Sequence, residues 1–205
     1  MQKGNNRRAR VPEYLSFDTK VNRLSDLLVS VVRNAAFTNA ISSVGRDMGQ
    51  LRFRNAEIHN FWIVAHNNAL DMAVIDWCKI FGSQSTNPTH WTYTFEQKKH
   101  AEIREAIHNA VGGEEQWKAI QGHIVNFRNT QAAHHEYEAP TNFNHRFVPK
   151  LAPIVDTSVV MNRAICNAYD VHDDGVFEGG LKGYYDKLLT QVTVDIATAM
   201  TAGMT

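Results

Sequence analysis

Apolar residues recur every three or four positions along most of this chain, and this spacing constrains the fold more than any other feature. In the first such segment, which follows a possible N-cap at Ser16, the apolar positions are Val21, Leu24, Leu28, Val31, Val32 and Ala35. The period matches the turn of an α-helix and places these side chains on one face. Alternation typical of a β-strand is suggested only over residues 91–95. The sequence therefore predicts an all-α protein.

Five further segments show the same helical spacing. They cover, in chain order, roughly residues 58–82, 96–111, 117–127, 154–169 and 181–199. Two interruptions of this spacing, residues 83–94 and 136–153, are rich in polar residues and proline and predict surface loops. We therefore expect an up-and-down bundle of five or six helices.

The first thirteen residues differ in composition from the rest of the chain. They hold few apolar residues and four basic ones, Lys3, Arg7, Arg8 and Arg10. Such a segment adds little to a core, so residues 1–13 are predicted to form a flexible basic tail. Residues 14–205 are numerous enough to bury a substantial core and are predicted to form one helical domain.

The charge balance and the cysteines bear on nucleic-acid binding and on the cellular compartment. Basic and acidic residues number 21 each, so any nucleic-acid site must be local rather than spread over the surface. Cys78 and Cys166 are far apart in apolar segments and are predicted to be buried free thiols, which suits a reducing compartment. Neither a secretory signal nor a run able to span a bilayer is recognised, so we expect a cytoplasmic protein without membrane contact.

A run of polar residues at the end of the fourth predicted helix could carry chemistry. It reads Arg128-Asn129-Thr130-Gln131-Ala132-Ala133-His134-His135-Glu136. Because the pKa of an ordinary imidazole lies near neutrality, a histidine here could accept or donate a proton as a general base or acid. The arginine could hold an anion, since its guanidinium stays charged and offers paired donors. Such chemistry needs no metal and no cofactor.

This run resembles the active-site motif of HEPN-domain ribonucleases, in the form found in abortive-infection-type members. The matching positions are Arg128, Asn129, Ala133, His134 and Glu136. The family is also a helical bundle, so the resemblance covers about residues 16–200 in architecture, whereas residue-level matching is confined to the motif.

The resemblance implies a metal-independent endoribonuclease in which Arg128 and His134 are catalytic and Asn129 and Glu136 support them. The RNA substrate would be cleaved by attack of its own 2′-hydroxyl, leaving a 2′,3′-cyclic phosphate. The family usually brings two motifs together across a dimer, so a homodimer is implied. A role as a toxin or phage-defence effector, with an antitoxin or other regulatory protein as partner, is implied as well.

Helix geometry leaves the identity of the histidine open. On an unbroken α-helix, residues six positions apart are offset by about 120°, whereas residues seven apart nearly share a face. His135 would then face Arg128 better than His134 does. The motif favours His134, so both remain candidates.

Two further features could belong to such a site. Arg54 and His59 satisfy the looser arginine-to-histidine spacing, as does Arg52, and form a second candidate motif, although polar residues that open a long helix explain them better. Asp76 lies on the apolar face of the second predicted helix, where a buried acid needs a partner. It is predicted either to pair with Arg128 or the catalytic histidine, or to be a hydrogen-bonded structural residue.

Two other functions fit the same sequence. The first is a catalytically inactive helical module that dimerises or binds a nucleotide or a partner protein. The second is a metal-binding bundle, since Glu105-Ala106-Ile107-His108 has the Glu-x-x-His spacing of di-iron proteins. No second copy of that spacing occurs, and we expect Glu102, Glu105 and His108 to lie on an exposed polar face.

Overall fold

The computed structural model describes residues 17–47, 56–85, 87–132, 148–170 and 177–202. Within these ranges the chain forms six α-helices and no β-strand, which confirms the predicted all-α helical bundle. The helices are α1 (Phe17–Asp47), α2 (Ala56–Phe81), α3 (His100–Ala110), α4 (Glu114–Phe127), α5 (Leu151–Tyr169) and α6 (Gly180–Ala202). The segment with strand-like alternation contains instead a 3-10 helix, Trp91–Tyr93, and a second one, Gln97–Lys99, leads into α3.

The long first helix is the centre of the bundle. It packs against α2, α5 and α6, while α3 packs against α4 and α5. The apolar face predicted for α1 is the buried one, with Leu24, Leu28 and Val31 at most 1% exposed. The period of the sequence therefore identified the inward side of this helix correctly.

Part of α1 also meets the criteria for a membrane-spanning segment. Thr19–Gly45 is long and apolar enough to cross a bilayer by length and composition, so the expectation that the chain has no such run does not hold. Half of the 18-residue apolar stretch within this segment is buried inside the protein. A core helix of a soluble protein has the same properties, because it is apolar on the sides that contact its neighbours.

An aromatic cluster joins α2, α4 and α5. The ring centroids of Trp77 and Trp117 are 5.6 Å apart, and Phe81 lies 5.0 Å from Trp77 and 5.9 Å from Trp117. Since a buried indole N–H needs an acceptor, Trp77 Nε1 donates to Thr157 Oγ1 at 2.9 Å. Trp77, Trp91 and Trp117 are buried in the core, whereas Trp62 is only half-buried.

The end of α2 is closed by Gly82 and Asn87. The backbone N–H of Gly82 donates to the carbonyl of Cys78 at 2.9 Å, and the side-chain amide of Asn87 donates to the same carbonyl at 3.2 Å. A Cβ atom on Gly82 would lie 2.4 Å from that carbonyl oxygen. The tight end of α2 therefore requires glycine at this position.

The boundary predicted for the basic tail cannot be compared with the structure, because residues 1–13 lie outside the described ranges. The same holds for the possible N-cap Ser16. Most of the predicted loop at residues 136–153 is also outside them.

Candidate active site around Arg128

The motif begins on a π-helical turn. Arg128–Ala132 continues α4 as a π-helix, and this turn packs against α2. Single π-helical turns inside α-helices are rare and are frequently found at functional sites. A π-helix has more residues per turn than an α-helix, so the regular α-helical angles used in the sequence analysis do not apply across the motif. His134, His135 and Glu136 lie outside the described residues, and the choice between the two histidines stays a prediction.

The guanidinium of Arg128 is held by a neutral neighbour. Its Nε and one terminal nitrogen both donate to Oδ1 of Asn129, at 3.0 and 2.6 Å. Arg128 is half-buried, and within the described ranges it forms no ion pair with a carboxylate. Asn129 therefore orients the arginine without cancelling its charge.

The position of Arg128 relative to α2 is shown by its effect on Cys78. Burial raises the pKa of the Cys78 thiol to about 11, and the positive charge of Arg128 opposes this rise. Cys78 is completely buried and unpaired, as predicted, and its thiol is neutral at physiological pH. It is therefore an unactivated core residue beside the arginine rather than a nucleophile.

Asp76 has partners other than Arg128. The hydroxyl of Ser30 donates to Oδ2 of Asp76 at 2.7 Å, and Lys79 Nζ donates to Oδ1 at 2.6 Å. The carboxylate is 3% exposed and joins α1 to α2 through Ser30. This arrangement matches the alternative of a hydrogen-bonded structural aspartate, and no described hydrogen bond or ion pair links it to Arg128.

The second candidate motif falls largely outside what can be described. Arg54 is outside the described residues, and of His59 only the backbone is described, within α2. The geometry of the Arg54 and His59 pair therefore stays a prediction.

The metal-binding alternative gains no support from α3. Glu102 and Glu105 are exposed, as predicted, while His108 is half-buried. Among the described residues, no group of three or more histidine, cysteine, aspartate or glutamate side chains is arranged to hold a metal ion.

A hydrogen-bonded chain that the sequence did not reveal links α1 and α2. Ser42 Oγ lies 2.9 Å from His66 Nε2, and His66 Nδ1 lies 3.1 Å from Asn67 Oδ1. A serine that contacts a histidine, which in turn contacts an amide, is the arrangement that activates a serine nucleophile in enzymes. Acyl transfer also needs free N–H donors for the oxyanion. Ser42 and His66 lie in the interior of their helices, where the backbone N–H groups bond within the helix, so the chain serves helix packing.

A second arrangement missed by the sequence analysis is a polar cleft between α2, α3 and α4, which contains His90, Arg104 and His108. The spacing of four residues between Arg104 and His108 on a predicted helix is the only sequence signal that could have suggested it. His90 comes from a different segment, and its approach depends on tertiary packing.

The described residues form an all-α protein of six helices, and among them no carboxylate pairs with Arg128 at the end of α4. Comparison with protein-family models, with curated proteins and with solved structures found no match for this chain. The resemblance to HEPN ribonucleases therefore rests on the motif residues and the helical architecture alone.

Proposed function

We propose that this protein is a metal-independent endoribonuclease of the HEPN type. The observation that supports this proposal best is the environment of Arg128, which is half-buried and held by Asn129 without a described carboxylate partner. A cation of this kind attracts an oxyanion, because no carboxylate in the described part of the chain pairs with it. A phosphodiester of RNA is the corresponding ligand.

The reaction is an internal transfer at phosphorus. The 2′-oxygen attacks the adjacent phosphorus, the bond from phosphorus to the 5′-oxygen breaks, and a 2′,3′-cyclic phosphate and a 5′-hydroxyl result. His134 exchanges protons with the 2′-hydroxyl and the leaving 5′-oxygen, and in a dimer the two functions can be divided between two copies. Arg128 stabilises the negative charge that builds on the phosphate oxygens. His135 is the alternative base, and Glu136 supports either histidine.

The remaining features of the proposal follow the same resemblance. The enzyme acts as a cytoplasmic homodimer, as a toxin or phage-defence effector, and an antitoxin or other regulatory protein controls it. The half-buried state of Thr19–Gly45 is compatible with a core helix in such a protein.

The test is an RNA cleavage assay in the presence of a chelator. Wild-type protein should cut total RNA and leave 2′,3′-cyclic phosphate ends. Arg128→Ala should lower the rate about 100- to 1,000-fold, because it removes the donors to the developing charge. His134→Ala should lower it by about 100-fold or more, while His135→Ala should have a small effect.

Two controls make the result interpretable. Arg33→Ala removes an exposed arginine of α1 that is not part of the motif, and it should cut like wild type. Thermal unfolding of every variant establishes that the fold is retained. Intact RNA with wild-type protein, or equal cleavage by the Arg128 and His134 variants, would show that the proposal is wrong.

A second candidate function is favoured by an exposed apolar stripe on α2, formed by Phe61, Val64 and Met72. Their exposed fractions are 62, 55 and 43%. Phe61 and Met72 are eleven positions apart and so share a helix face. Apolar patches on a protein surface mark interaction sites. Under this candidate the protein is an inactive dimerisation or partner-binding module, and the Arg128 segment is a nucleotide contact or a remnant.

A further inference from the structure

A polar cleft lies where the end of α2, the Trp91–Tyr93 turn, α3 and α4 meet. Its volume is about 190 Å³. The residues that matter for its chemistry are His90, Trp91, Arg104, His108, Trp117 and Gln121. The cleft thus combines cationic and neutral hydrogen-bond donors with two indole rings.

The charge of the cleft is positive. None of the described residues that line it is an acid. Arg104 is exposed and forms no ion pair with any carboxylate in the described part of the chain. The pKa of nearby Glu114 is lowered mainly by its hydrogen bond to Lys118 and only slightly by His108 and Arg104. Glu114 does not line the cleft, and its carboxylate lies 2.8 Å from Lys118, which is also 3.4 Å from Glu115.

The hydrogen bonds of His90 determine which of its nitrogens carries the proton. Nδ1 accepts from the backbone N–H of Thr92 at 3.3 Å and lies 2.8 Å from the Thr92 hydroxyl. Burial, with a smaller contribution from His100, lowers the pKa of His90 to about 4, so the ring is neutral at physiological pH. A neutral ring whose Nδ1 is an acceptor has its proton on Nε2. That N–H has no acceptor among the described residues.

Trp91 and Trp117 increase the strength of any ionic contact in the cleft. They are 5 and 9% exposed and form part of its wall. Charges that face low-dielectric walls interact more strongly than charges in open water. An anion bound here would therefore be held more tightly than one on an open surface.

We propose that this cleft binds a phosphate group, with Arg104 as the charged donor and His90 and His108 as further donors. The volume is below the range of about 300–1,000 Å³ typical of sites for whole small molecules. The cleft therefore accommodates a phosphate and part of an attached sugar, while a base would extend outside it.

The cleft and Arg128 lie along the same side of α4. Gln121, which lines the cleft, precedes Arg128 by seven residues, so the two positions nearly share a face and are separated by about 10 Å along the helix. One RNA strand can therefore contact both places. Binding in the cleft nevertheless does not depend on whether Arg128 is catalytic.

The proposal is tested by calorimetric titration of the full chain at low salt. The ligands are inorganic phosphate, adenosine 5′-monophosphate, adenosine, and a short 2′-O-methyl oligoribonucleotide, which cannot be cleaved by a 2′-hydroxyl. Ligands that carry phosphate should bind and adenosine should not. Arg104→Gln should weaken phosphate binding by at least about tenfold, since it removes a charged hydrogen bond. Arg33→Gln is the matched control and should bind like wild type.

Comparison of the ligands identifies the source of the phosphate. Tighter binding of the oligoribonucleotide than of the mononucleotide supports an RNA subsite, and equal binding supports a site for free nucleotides. Both outcomes uphold the phosphate site. Arg104→Lys keeps the positive charge and should retain part of the affinity for phosphate. Such partial retention separates loss of the charge from loss of the fold. Absence of phosphate binding by wild type, or equal binding by Arg104→Gln and Arg33→Gln, overturns the proposal, whatever the RNA cleavage assay shows.

Discussion

Burial shifts the pKa values of two ionisable side chains, Cys78 and His90, in opposite directions. Cys78 becomes a weaker acid, with a pKa raised to about 11, because burial penalises the thiolate more than Arg128 stabilises it. His90 becomes a weaker base, with a pKa lowered to about 4, because burial and then His100 penalise the imidazolium. In both cases burial favours the neutral form.

The lowered pKa of His90 predicts a loss of stability in acid. Above pH 6.5 the residue is neutral in both the folded and the unfolded chain. Between about pH 6.5 and 4 only the unfolded chain binds the proton, so the free energy of unfolding should decrease by up to about 3 kcal/mol from this residue. Urea unfolding at pH 7, 5.5 and 4.5 measures this change.

The matched variant for that experiment is His90→Asn. Its amide oxygen can still accept from Thr92, but it does not titrate. The variant should lose less stability than wild type between pH 7 and 4.5. If the two proteins lose the same amount, His90 is not the residue responsible.

At the scale of the element, the end of α2 influences both proposed sites. Cys78 lies beside Arg128, whereas Phe81 and Gly82 line the phosphate cleft. Gln121 of α4 donates to the carbonyl of Phe81, which ties the two helices together at the cleft. A change in the path of the chain at Gly82 should therefore reach the cleft directly.

Gly82→Ala should destabilise the protein. The new Cβ would lie 2.4 Å from the Cys78 carbonyl oxygen, so the end of α2 must shift. We expect a loss of about 1–3 kcal/mol in the free energy of unfolding, measured by chemical denaturation.

Gly122→Ala provides the control for that variant. Gly122 lies within α4 with nothing within 4 Å of an added Cβ. Because alanine favours helix more than glycine, this change should be neutral or stabilising by up to about 1 kcal/mol. Equal effects of the two substitutions would contradict the role assigned to Gly82.

At the scale of the whole molecule, two apolar clusters hold the helices together. The larger one contains residues of all six helices, and the smaller one joins α1, α2 and α6 near Trp62 and Ile196. The exposed stripe of Phe61, Val64 and Met72 lies on the same helix as Trp62. These three side chains are exposed in the single chain. Both candidate functions allow a dimer, and we propose this stripe, in the described part of the chain, as its interface.

Phe61→Gln should weaken self-association. If the stripe is the interface, wild type sediments as a dimer at micromolar concentration and the variant dissociates at a concentration more than about tenfold higher, because a central aromatic contact is lost. Val194→Gln on α6 is the control, since Val194 is 57% exposed but outside the stripe. A monomeric wild type, or equal effects of the two variants, would exclude the stripe as the dimer interface.

Much of the fold could be predicted because its signals are local. The apolar period placed α2, α3, α4, α5 and α6 close to their observed ranges, whereas the apolar positions identified for α1, residues 21–35, cover only part of that helix. The segment at Trp91 was harder to predict, because a run of five residues is too short for its periodicity to distinguish a helical turn from a strand. The π-helical turn at Arg128 has no local sequence signal of comparable strength.

The sequence by itself indicated five or six helices, the inward face of α1 and the residues of the candidate motif, because each depends on neighbours a few positions away. The tertiary structure decided which groups meet. It paired Asp76 with Ser30, 46 positions away, and placed His90 in one cleft with Arg104. Such contacts depend on how helix faces pack, and many pairings of apolar faces satisfy the same periodicity.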